Sequence, residues 1–167
     1  MFKNVPNKSY ETEDGLIYHS SSVAVVGVVF LRAKGEKQPF VLITKRADTM
    51  TDEPGKWCLP CGYLDWNETI EEATIREICE ETSLNVLDIK NVMKFPSLLI
   101  LDNLTSPKQN ISIVSAFTAE VAALPFIKTT EETSRVEWVK HTRSALDDKI
   151  FAFDHRSVMR EVFYDIS

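Results

Sequence analysis

The sequence predicts an α/β sandwich, because apolar strand segments and two amphipathic helical segments occur in one chain of 167 residues. The clearest strand segment is Ser22–Ala33, which is apolar and rich in valine. The helical segments are residues 67–82 and 154–164, whose apolar positions recur every three or four residues. Such a mixture favours helices packed on a sheet. The length is typical of one domain, so we expect a single domain over residues 1–167.

The first third of the chain is predicted to contain mostly strands. Residues 1–15 are polar, and we expect them to be poorly ordered. Turn sequences containing Gly and Pro lie at residues 35–39 and 52–55. These turns separate three predicted strands: Ser22–Ala33, Phe40–Arg46 and residues 57–59.

The helix predicted at residues 67–82 has the strongest local signals. Asn67 is a favourable N-cap. Three carboxylates lie near the positive end of the helix dipole, namely Glu68, Glu71 and Glu72. The later elements are predicted to be three strands and a last helix that begins at Asp154; the strands are residues 84–101, 111–121 and 135–139.

Composition and charge bound the class of protein. Hydrophobic residues make up 44% of the chain, charged residues 26%, and the net charge is −6. Nucleic-acid backbones are bound by Lys and Arg surfaces, so we expect no nucleic-acid polymer as a partner. The N-terminal segment lacks the apolar stretch of a signal peptide, and the longest apolar run, residues 23–31, is too short to span a bilayer. We therefore expect a cytoplasmic protein with no membrane partner.

Three glutamates are predicted to share one face of the helix at residues 67–82. Glu77, Glu80 and Glu81 are spaced by three and four residues, which brings their side chains together. The opposite face is predicted to enter the core and carries Ile75, Ile78, Cys79 and Thr82.

The clustered carboxylates have two explanations. Like charges at these spacings repel by a few tenths of a kcal/mol per pair. Arg76 is expected to reach Glu72 or Glu80, but not the whole cluster. A divalent cation such as Mg²⁺ or Mn²⁺ would remove the repulsion, whereas a solvated acidic face is the alternative.

The segment GYLDWNETIEEATIREICEETSL, residues 62–84, resembles the signature of the Nudix hydrolase family. That signature is Gly, five residues, Glu, seven residues, Arg-Glu, an aliphatic residue, any residue, Glu-Glu, any residue, Gly and an aliphatic residue. The matching positions are Gly62, Glu68, Arg76, Glu77, Ile78, Glu80, Glu81 and Leu84. Ser83 stands where the family has Gly, and Pro60-Cys61-Gly62 stands where it usually has Pro-Gly-Gly.

The resemblance implies a fold and an activity. The family fold is an α/β/α sandwich around a mixed β-sheet. Its members hydrolyse the diphosphate bond of a nucleoside diphosphate linked to another moiety X, and they need Mg²⁺ or Mn²⁺. We therefore expect a small-molecule nucleotide substrate, such as an ADP-ribose-like compound or a (d)NTP. Members are often homodimers.

The resemblance also assigns roles to residues. Glu77 and Glu81 would be the principal metal ligands, with Glu80 beside them and the backbone carbonyl of Cys61 as a further ligand. Arg76 would orient the glutamates by charge-assisted hydrogen bonds.

Two further catalytic roles are open to glutamates. Glu68 would stabilise the loop–helix turn and assist proton transfer. A carboxylate outside the signature is expected to take the proton of the attacking water. Glu132 is favoured for this role, and Glu131 and Glu120 are the other candidates.

Residues outside the signature are candidates for substrate binding. Arg32 and Arg46 flank the predicted cleft and could bind phosphate, or they are solvated strand ends. Trp57 and Trp66 could stack on a base, although aromatic residues in such segments usually belong to the core.

Cys58 and Cys61 form a C-x-x-C motif. A zinc site needs about four ligands, and Cys79 is predicted on the core face of its helix. A redox dithiol would lie at the start of a helix, whereas residues 62–66 intervene here. The odd number of cysteines fits a reducing compartment. We expect a structural use, and redox regulation stays open.

A second class of function is a non-catalytic Nudix-fold sensor of a nucleotide or sugar nucleotide. Sensors of this kind usually lose the glutamates of the signature. This chain retains Glu77, Glu80, Glu81 and Arg76, which favours an enzyme.

Overall fold

A computed structural model describes residues 8–19, 22–103 and 110–166 of the chain. The strands are β1 (Lys8–Thr12), β2 (Gly15–His19), β3 (Ser22–Ala33), β4 (Phe40–Arg46), β5 (Trp57–Cys58), β6 (Cys61–Tyr63), β7 (Met93–Asn103), β8 (Asn110–Val121) and β9 (Thr133–Lys140). The helices are α1 (Ile70–Thr82), α2 (Arg143–Leu146) and α3 (His155–Ile166), with a 3₁₀ turn at Val86–Asp88.

Within the described residues, β3 to β9 form one mixed sheet. Its main order is β5-β4-β3-β8-β7, while β6 pairs with β3 and β9 pairs with β4. The pairing of β3 with β8 is parallel, and the other pairings in this sheet are antiparallel. The predicted mixed sheet is therefore confirmed. Strands β1 and β2 form a separate antiparallel hairpin.

The core lies on both faces of the sheet. On one face, Val26 and Val28 of β3 belong to the same apolar cluster as Met159 of α3. On the other face, Val29 of β3 belongs to the cluster that contains Ile78 of α1. Alternate residues of a strand point to opposite faces, so the run of valines in β3 contributes to both clusters. This arrangement is the predicted α/β/α sandwich.

A glycine in β3 sets how closely α1 approaches the sheet. A Cβ atom added at Gly27 would lie 2.7 Å from the side chain of Ile78. The Gly27 N–H also donates a hydrogen bond to the carbonyl of Pro60, at 2.8 Å. Gly27 therefore allows close packing of α1 and holds the loop that leads into it.

Three predicted boundaries differ from the structure. Residues 8–19 form the β1–β2 hairpin rather than a poorly ordered tail, and residues 1–7 lie outside the described residues. Strand β7 begins at Met93 rather than at residue 84, because the 3₁₀ turn and its flanking residues intervene. Helix α3 begins at His155, and Asp154 has a φ of 56°, which is not the extended conformation of an N-cap.

Helix α1 begins later than predicted. Its N-cap is Thr69 rather than Asn67, because Thr69 and Glu72 form a reciprocal capping box. Asn67 instead has a φ of 62° in the preceding loop. The helix ends at Ser83, which has a φ of 58° and thus adopts the left-handed conformation that the family glycine would favour.

Within residues 8–19, 22–103 and 110–166, no helix is both long enough and apolar enough to span a membrane.

Candidate active site on helix α1

The loop before α1 passes against a carboxylate of that helix. A Cβ atom added at Gly62 would lie 2.2 Å from Oε1 of Glu77. This separation is far below a van der Waals contact, so a side chain at position 62 would displace the Glu77 carboxylate. Because Gly62 has no side chain, the loop can lie directly against the Glu77 carboxylate.

Arg76 connects this loop to the carboxylates of α1. Its guanidinium donates two hydrogen bonds to Glu68, at 3.1 and 2.7 Å. It also donates to Glu77 at 2.7 Å, to Glu80 at 3.0 Å and to the carbonyl of Tyr63 at 2.9 Å. The expected contact of Arg76 with Glu80 is therefore present, and Arg76 also reaches Glu77.

Glu68 stabilises the loop from its other side. Its Oε1 accepts the N–H of Asp65 at 2.7 Å while the carboxylate remains paired with Arg76. The Arg76 hydrogen bonds lower the pKa of Glu68 below its usual range. Glu68 thus remains ionised and ties the loop to α1.

The three glutamates differ in their exposure. Glu77 and Glu81 are 8% and 4% exposed, whereas the side chain of Glu80 is 59% exposed. Burial raises the pKa of Glu77; the hydrogen bond and charge of Arg76 oppose this rise, and the charges of Glu80 and Glu132 add smaller contributions to it. Burial also raises the pKa of Glu81 well above its usual range, with further contributions from Cys58 and Glu77. The carboxylates therefore do not form one solvated face.

The rotation of α1 explains this difference. Its buried residues are Ala73, Thr74, Glu77, Ile78, Glu81 and Thr82. This spacing defines a single helix face, with Glu77 and Glu81 one turn apart on it. Cys79 is exposed, so its predicted place on the core face is wrong.

Glu81 is held by partners on other elements. Its Oε2 accepts a hydrogen bond from the Thr44 hydroxyl of β4 at 3.0 Å, and its Oε1 accepts the N–H of Cys61 at 3.3 Å. The Thr133 hydroxyl of β9 donates to the backbone carbonyl of Glu81 at 3.0 Å. Neither Thr44 nor Thr133 belongs to the Nudix signature. The available signal for Thr44 was its hydroxyl at the end of an otherwise apolar run at the start of β4, FVLIT.

The donor set fits a hard divalent cation. Glu77 and Glu81 offer carboxylate oxygens as metal ligands. The charge of Glu77 makes ionisation of Glu81 less favourable, and a bound cation would offset this repulsion. Among the described residues, no group of three or more His, Cys, Asp or Glu side chains forms a ready metal cage. Mg²⁺ commonly uses one or two carboxylates and takes its other ligands from water and phosphate, so the pair suffices.

The three candidates for the general base lie in two regions of the structure. Glu132 is near enough to Glu77 for its charge to raise the pKa of Glu77. Its backbone carbonyl accepts the N–H of Ala47 at 3.0 Å, which ties this loop to the end of β4. Glu131 and Glu132 are both exposed in this loop.

Glu120 and Arg32 are not brought to the carboxylates. They form an ion pair of 3.6 Å with each other on adjacent strands. Arg32 lies five residues beyond Gly27 on β3, which is about 16 Å along a strand. The sequence could not distinguish the two ends of β3, and this placement does not support the expectation that Arg32 flanks the cleft.

Arg46 and the two tryptophans also occupy distinct environments. Arg46 is 9% exposed, donates to the carbonyl of Asp52 at 2.8 Å and lies over the ring of Phe153. Trp57 is a core residue whose ring is covered by the Lys149 ammonium at 4.0 Å, so it is not open to a base. Trp66, in contrast, is 95% exposed in the loop before α1.

The C-x-x-C motif lies beside Glu81. Cys58 is buried, and Cys61 is partly exposed. A hydrogen bond from the Cys61 thiol lowers the pKa of Cys58 to about 7, and the same contact together with burial raises the pKa of Cys61. The two cysteines are therefore in contact with each other and with the candidate site.

A buried histidine supports the loop between the two cysteines. Nδ1 of His155, at the start of α3, accepts the N–H of Leu59 at 3.0 Å. His155 is 3% exposed, and burial lowers its pKa to about 3. The imidazole is therefore neutral near pH 7 and acts as an acceptor. Nothing in the local sequence indicated this contact, which joins residues 96 positions apart.

Known proteins are similar to this chain in sequence and in fold. The ADP-ribose pyrophosphatase of Methanocaldococcus jannaschii is 40% identical over 70 residues, which is 41% of this chain and 36% of that protein. The chain spans between 17% and 36% of the length of the curated relatives that it matches.

Two solved structures share the fold at low identity. The bifunctional NMN adenylyltransferase/ADP ribose pyrophosphatase of Francisella tularensis, complexed with AMP and a Mn ion, has a TM-score of 0.69 at 22% identity, over 89% of this chain and 42% of that chain. The NUDIX domain of Shewanella oneidensis NrtR, complexed with ADP ribose, has a TM-score of 0.67 at 20% identity, over 89% of this chain and 90% of that chain.

The signature, the sandwich around a mixed sheet and the Arg76-linked glutamates all agree with one family. The model of the NUDIX domain matches residues 22–162, which includes β3 to β9 and most of α3. The chain therefore belongs to the Nudix family.

Proposed function

We propose that this chain hydrolyses the diphosphate bond of a nucleoside diphosphate linked to another moiety X, with Mg²⁺ or Mn²⁺ as the cofactor. The observation that carries the proposal is the pair of desolvated carboxylates, Glu77 and Glu81, one helical turn apart. A buried carboxylate pair without a cation is costly, because burial and mutual repulsion both disfavour ionisation. A bound cation would offset the negative charge of these carboxylates and of a diphosphate substrate.

Each residue of the cluster has a role in the proposal. Glu77 and Glu81 would hold the cation, with Glu80 and the backbone carbonyl of Cys61 as further candidate ligands. The cation, when bound, offsets the charge of the diphosphate and activates a water molecule for attack on phosphorus. Arg76 fixes Glu77 by a 2.7 Å hydrogen bond and acts through it rather than on the substrate.

The proton of the attacking water is assigned to Glu132. Its charge affects Glu77, and Thr133 beside it is hydrogen-bonded to the backbone of Glu81. The loop that carries Glu132 is thus anchored to both β4 and α1. A carboxylate so placed can accept a proton without being a metal ligand.

The proposed substrates are small nucleotides. Names of similar proteins support this class, since one curated relative is an ADP-ribose pyrophosphatase and one structural neighbour was solved with ADP ribose. Arg46 remains a candidate for phosphate binding because it lies beside the C-x-x-C motif, where its charge helps to lower the pKa of Cys58. Trp66 replaces Trp57 as the candidate for stacking on a base, since its ring is exposed.

The test is product release from a panel of nucleotides in the presence of Mg²⁺, Mn²⁺ or EDTA. The panel holds ADP-ribose, NADH, diadenosine polyphosphates, sugar nucleotides, coenzyme A and the (d)NTPs, and Glu81→Gln is the control variant. Metal-dependent cleavage that is absent from the control supports the proposal. Absence of cleavage across the panel, with one compound still raising the melting temperature, would favour the sensor function instead.

A further inference from the structure

We propose that Thr44 and Cys58 are positioning residues for Glu81, and that the C-x-x-C motif serves the metal site through hydrogen bonds. The inference rests on the proposed role of Glu81 as a metal ligand. It assigns a use to the Cys58–Cys61 pair that requires neither metal binding by sulfur nor a redox reaction.

Thr44 contacts both Glu81 and Cys58. It is completely buried, and its hydroxyl oxygen is 3.0 Å from Oε2 of Glu81 and 3.1 Å from Sγ of Cys58. Thr44 and Cys58 are directly opposite each other on β4 and β5, and side chains of such cross-strand pairs lie on the same face of the sheet. Leu42 of β4 contributes to the core beneath α1. Strand alternation therefore places Thr44 on the α1 face as well.

The single hydrogen of the hydroxyl determines the direction of these bonds. An ionised carboxylate accepts hydrogen bonds and donates none, so Thr44 donates to Glu81. With its hydrogen given to Glu81, the Thr44 hydroxyl can only accept at its 3.1 Å contact with Cys58, and the Cys58 thiol is the donor there when it carries its hydrogen. The result is a chain of hydrogen bonds that links Cys58 through Thr44 to Oε2 of Glu81.

The same motif also fixes the second oxygen of Glu81. The backbone N–H of Cys61 donates to Oε1 at 3.3 Å. Both carboxylate oxygens therefore depend on the segment that holds the two cysteines. Glu81 is close enough to Glu77 for repulsion between the two charges, so donors are needed to keep the Glu81 carboxylate in place.

The expected effect is a loss of metal affinity. Removing a group that orients a metal ligand typically lowers affinity or activity by about 10- to 100-fold. Thr44→Val keeps the branched shape but removes the hydroxyl, so Mn²⁺ binding should weaken within this range. Thr44→Ser restores the hydroxyl and should bind Mn²⁺ within about threefold of the unmodified chain.

Changes at Cys58 should be milder than Thr44→Val. Cys58→Ala leaves Thr44 free to donate its hydrogen to Glu81, so we expect a loss of a few-fold. Cys58→Ser supplies a hydroxyl in place of the thiol and should bind Mn²⁺ nearly as the unmodified chain does. Mn²⁺ binding by Cys58→Ala and Cys58→Ser therefore distinguishes a hydrogen-bonding role of Cys58 from a redox role. Serine can replace cysteine in a hydrogen bond but not in a redox dithiol.

Thr74→Val is the matched control. Thr74 is also completely buried, and its hydroxyl donates to the Ile70 carbonyl of the same helix at 2.7 Å. The change is chemically the same as Thr44→Val but leaves the Glu81 contacts intact. Free Mn²⁺ is measured by electron paramagnetic resonance during titration of each variant. The melting temperature without metal checks the fold.

The outcomes separate this inference from the proposed function. Weaker Mn²⁺ binding in Thr44→Val, rescue in Thr44→Ser and unchanged binding in Thr74→Val support it. Unchanged Mn²⁺ affinity in a folded Thr44→Val variant overturns it, as does an equal loss in Thr74→Val. If Glu81→Gln loses Mn²⁺ while Thr44→Val retains it, only the positioning role fails. If Glu81→Gln binds Mn²⁺ as the unmodified chain does, the metal assignment itself is wrong.

The kinetic readout adds an independent check. If Thr44 positions Glu81 for the metal, Thr44→Val should raise the metal concentration that gives half-maximal turnover more than it lowers kcat at saturating metal. A fall in kcat alone, with the metal requirement unchanged, would contradict the positioning role.

Discussion

The substitution Glu81→Gln tests the charge of the site while preserving its shape. Glutamine has nearly the same volume as glutamate, and its amide oxygen can still accept the hydrogen bond from Thr44. The carboxylate that it replaces is 4% exposed, and burial raises its pKa well above the usual range. Removing this charge relieves a desolvation cost and the repulsion from Glu77. The metal-free variant should therefore melt at the same temperature as the unmodified chain or higher.

Metal ions, in contrast, should stabilise Glu81→Gln less than they stabilise the unmodified chain. A cation present at 100 times its Kd stabilises a protein by about 2.7 kcal/mol. For a chain of 167 residues, each 1 kcal/mol shifts Tm by about 2–4 °C, so we expect Mn²⁺ to raise Tm by about 5–11 °C. Glu81→Gln loses a ligand charge and should show little of this rise. Its turnover should fall by about 10²-fold or more, which corresponds to about 3 kcal/mol of transition-state stabilisation.

The assay compares melting curves with Mn²⁺ and with EDTA, followed by turnover on the best compound of the nucleotide panel. Glu120→Gln is the matched control, because it makes the same chemical change at a side chain that is 82% exposed and paired with Arg32. An equal Mn²⁺ shift in Glu81→Gln and the unmodified chain, or near-normal turnover in Glu81→Gln, would refute the reasoning.

Three further predictions concern the loop, the helix end and the buried histidine. Gly62→Ala should reduce turnover by about 100-fold, because its Cβ displaces Glu77 and small misplacements are this costly; a variant with normal kcat would contradict this. Ser83→Gly should raise Tm by about 2 °C, because glycine removes a backbone strain of about 1 kcal/mol in the left-handed conformation. Ser157→Gly, inside α3, is the control and should lower Tm. The pKa of His155 is lowered to about 3, so the unfolded chain binds a proton near pH 6.5 that the folded chain does not. The free energy of unfolding should therefore fall by up to about 1.4 kcal/mol per pH unit as pH decreases from 6.5 towards 3. Urea unfolding at pH 7 and pH 5 should show a smaller pH dependence in His155→Gln, and equal dependences would exclude His155 as the cause.

Local features of the sequence predicted the elements and the composition of the candidate site. The spacing of Glu77, Glu80 and Glu81 determined that they lie within one helical turn or two, because the geometry of a helix is nearly independent of its surroundings. The valine-rich pattern of β3 likewise indicated a strand buried on both faces. The signature identified Arg76 and Gly62 as members of the same local unit, and the structure joins both to Glu77.

The rotation of α1 required the tertiary structure. Charged residues usually face solvent, and the sequence analysis therefore placed all three glutamates on an exposed face. The packing of Ile78 against the region around Gly27 instead turns Glu77 and Glu81 towards the sheet. The same rotation exposes Cys79. Helical spacing fixes the relative positions of side chains, but not the direction that the helix presents to the core.

Contacts between distant segments were likewise decided by strand register and packing. Thr44 and Glu81 are separated by 37 residues, and His155 and Leu59 by 96. Register also places Arg32 beside Glu120, away from the carboxylates, and packing covers Trp57 with Lys149. The sequence by itself therefore determined the family signature, the oxygen donors and their spacing on α1, because these follow from local geometry. Only the folded chain decided which carboxylates lose water and which residues hold them, because burial depends on how distant segments pack together.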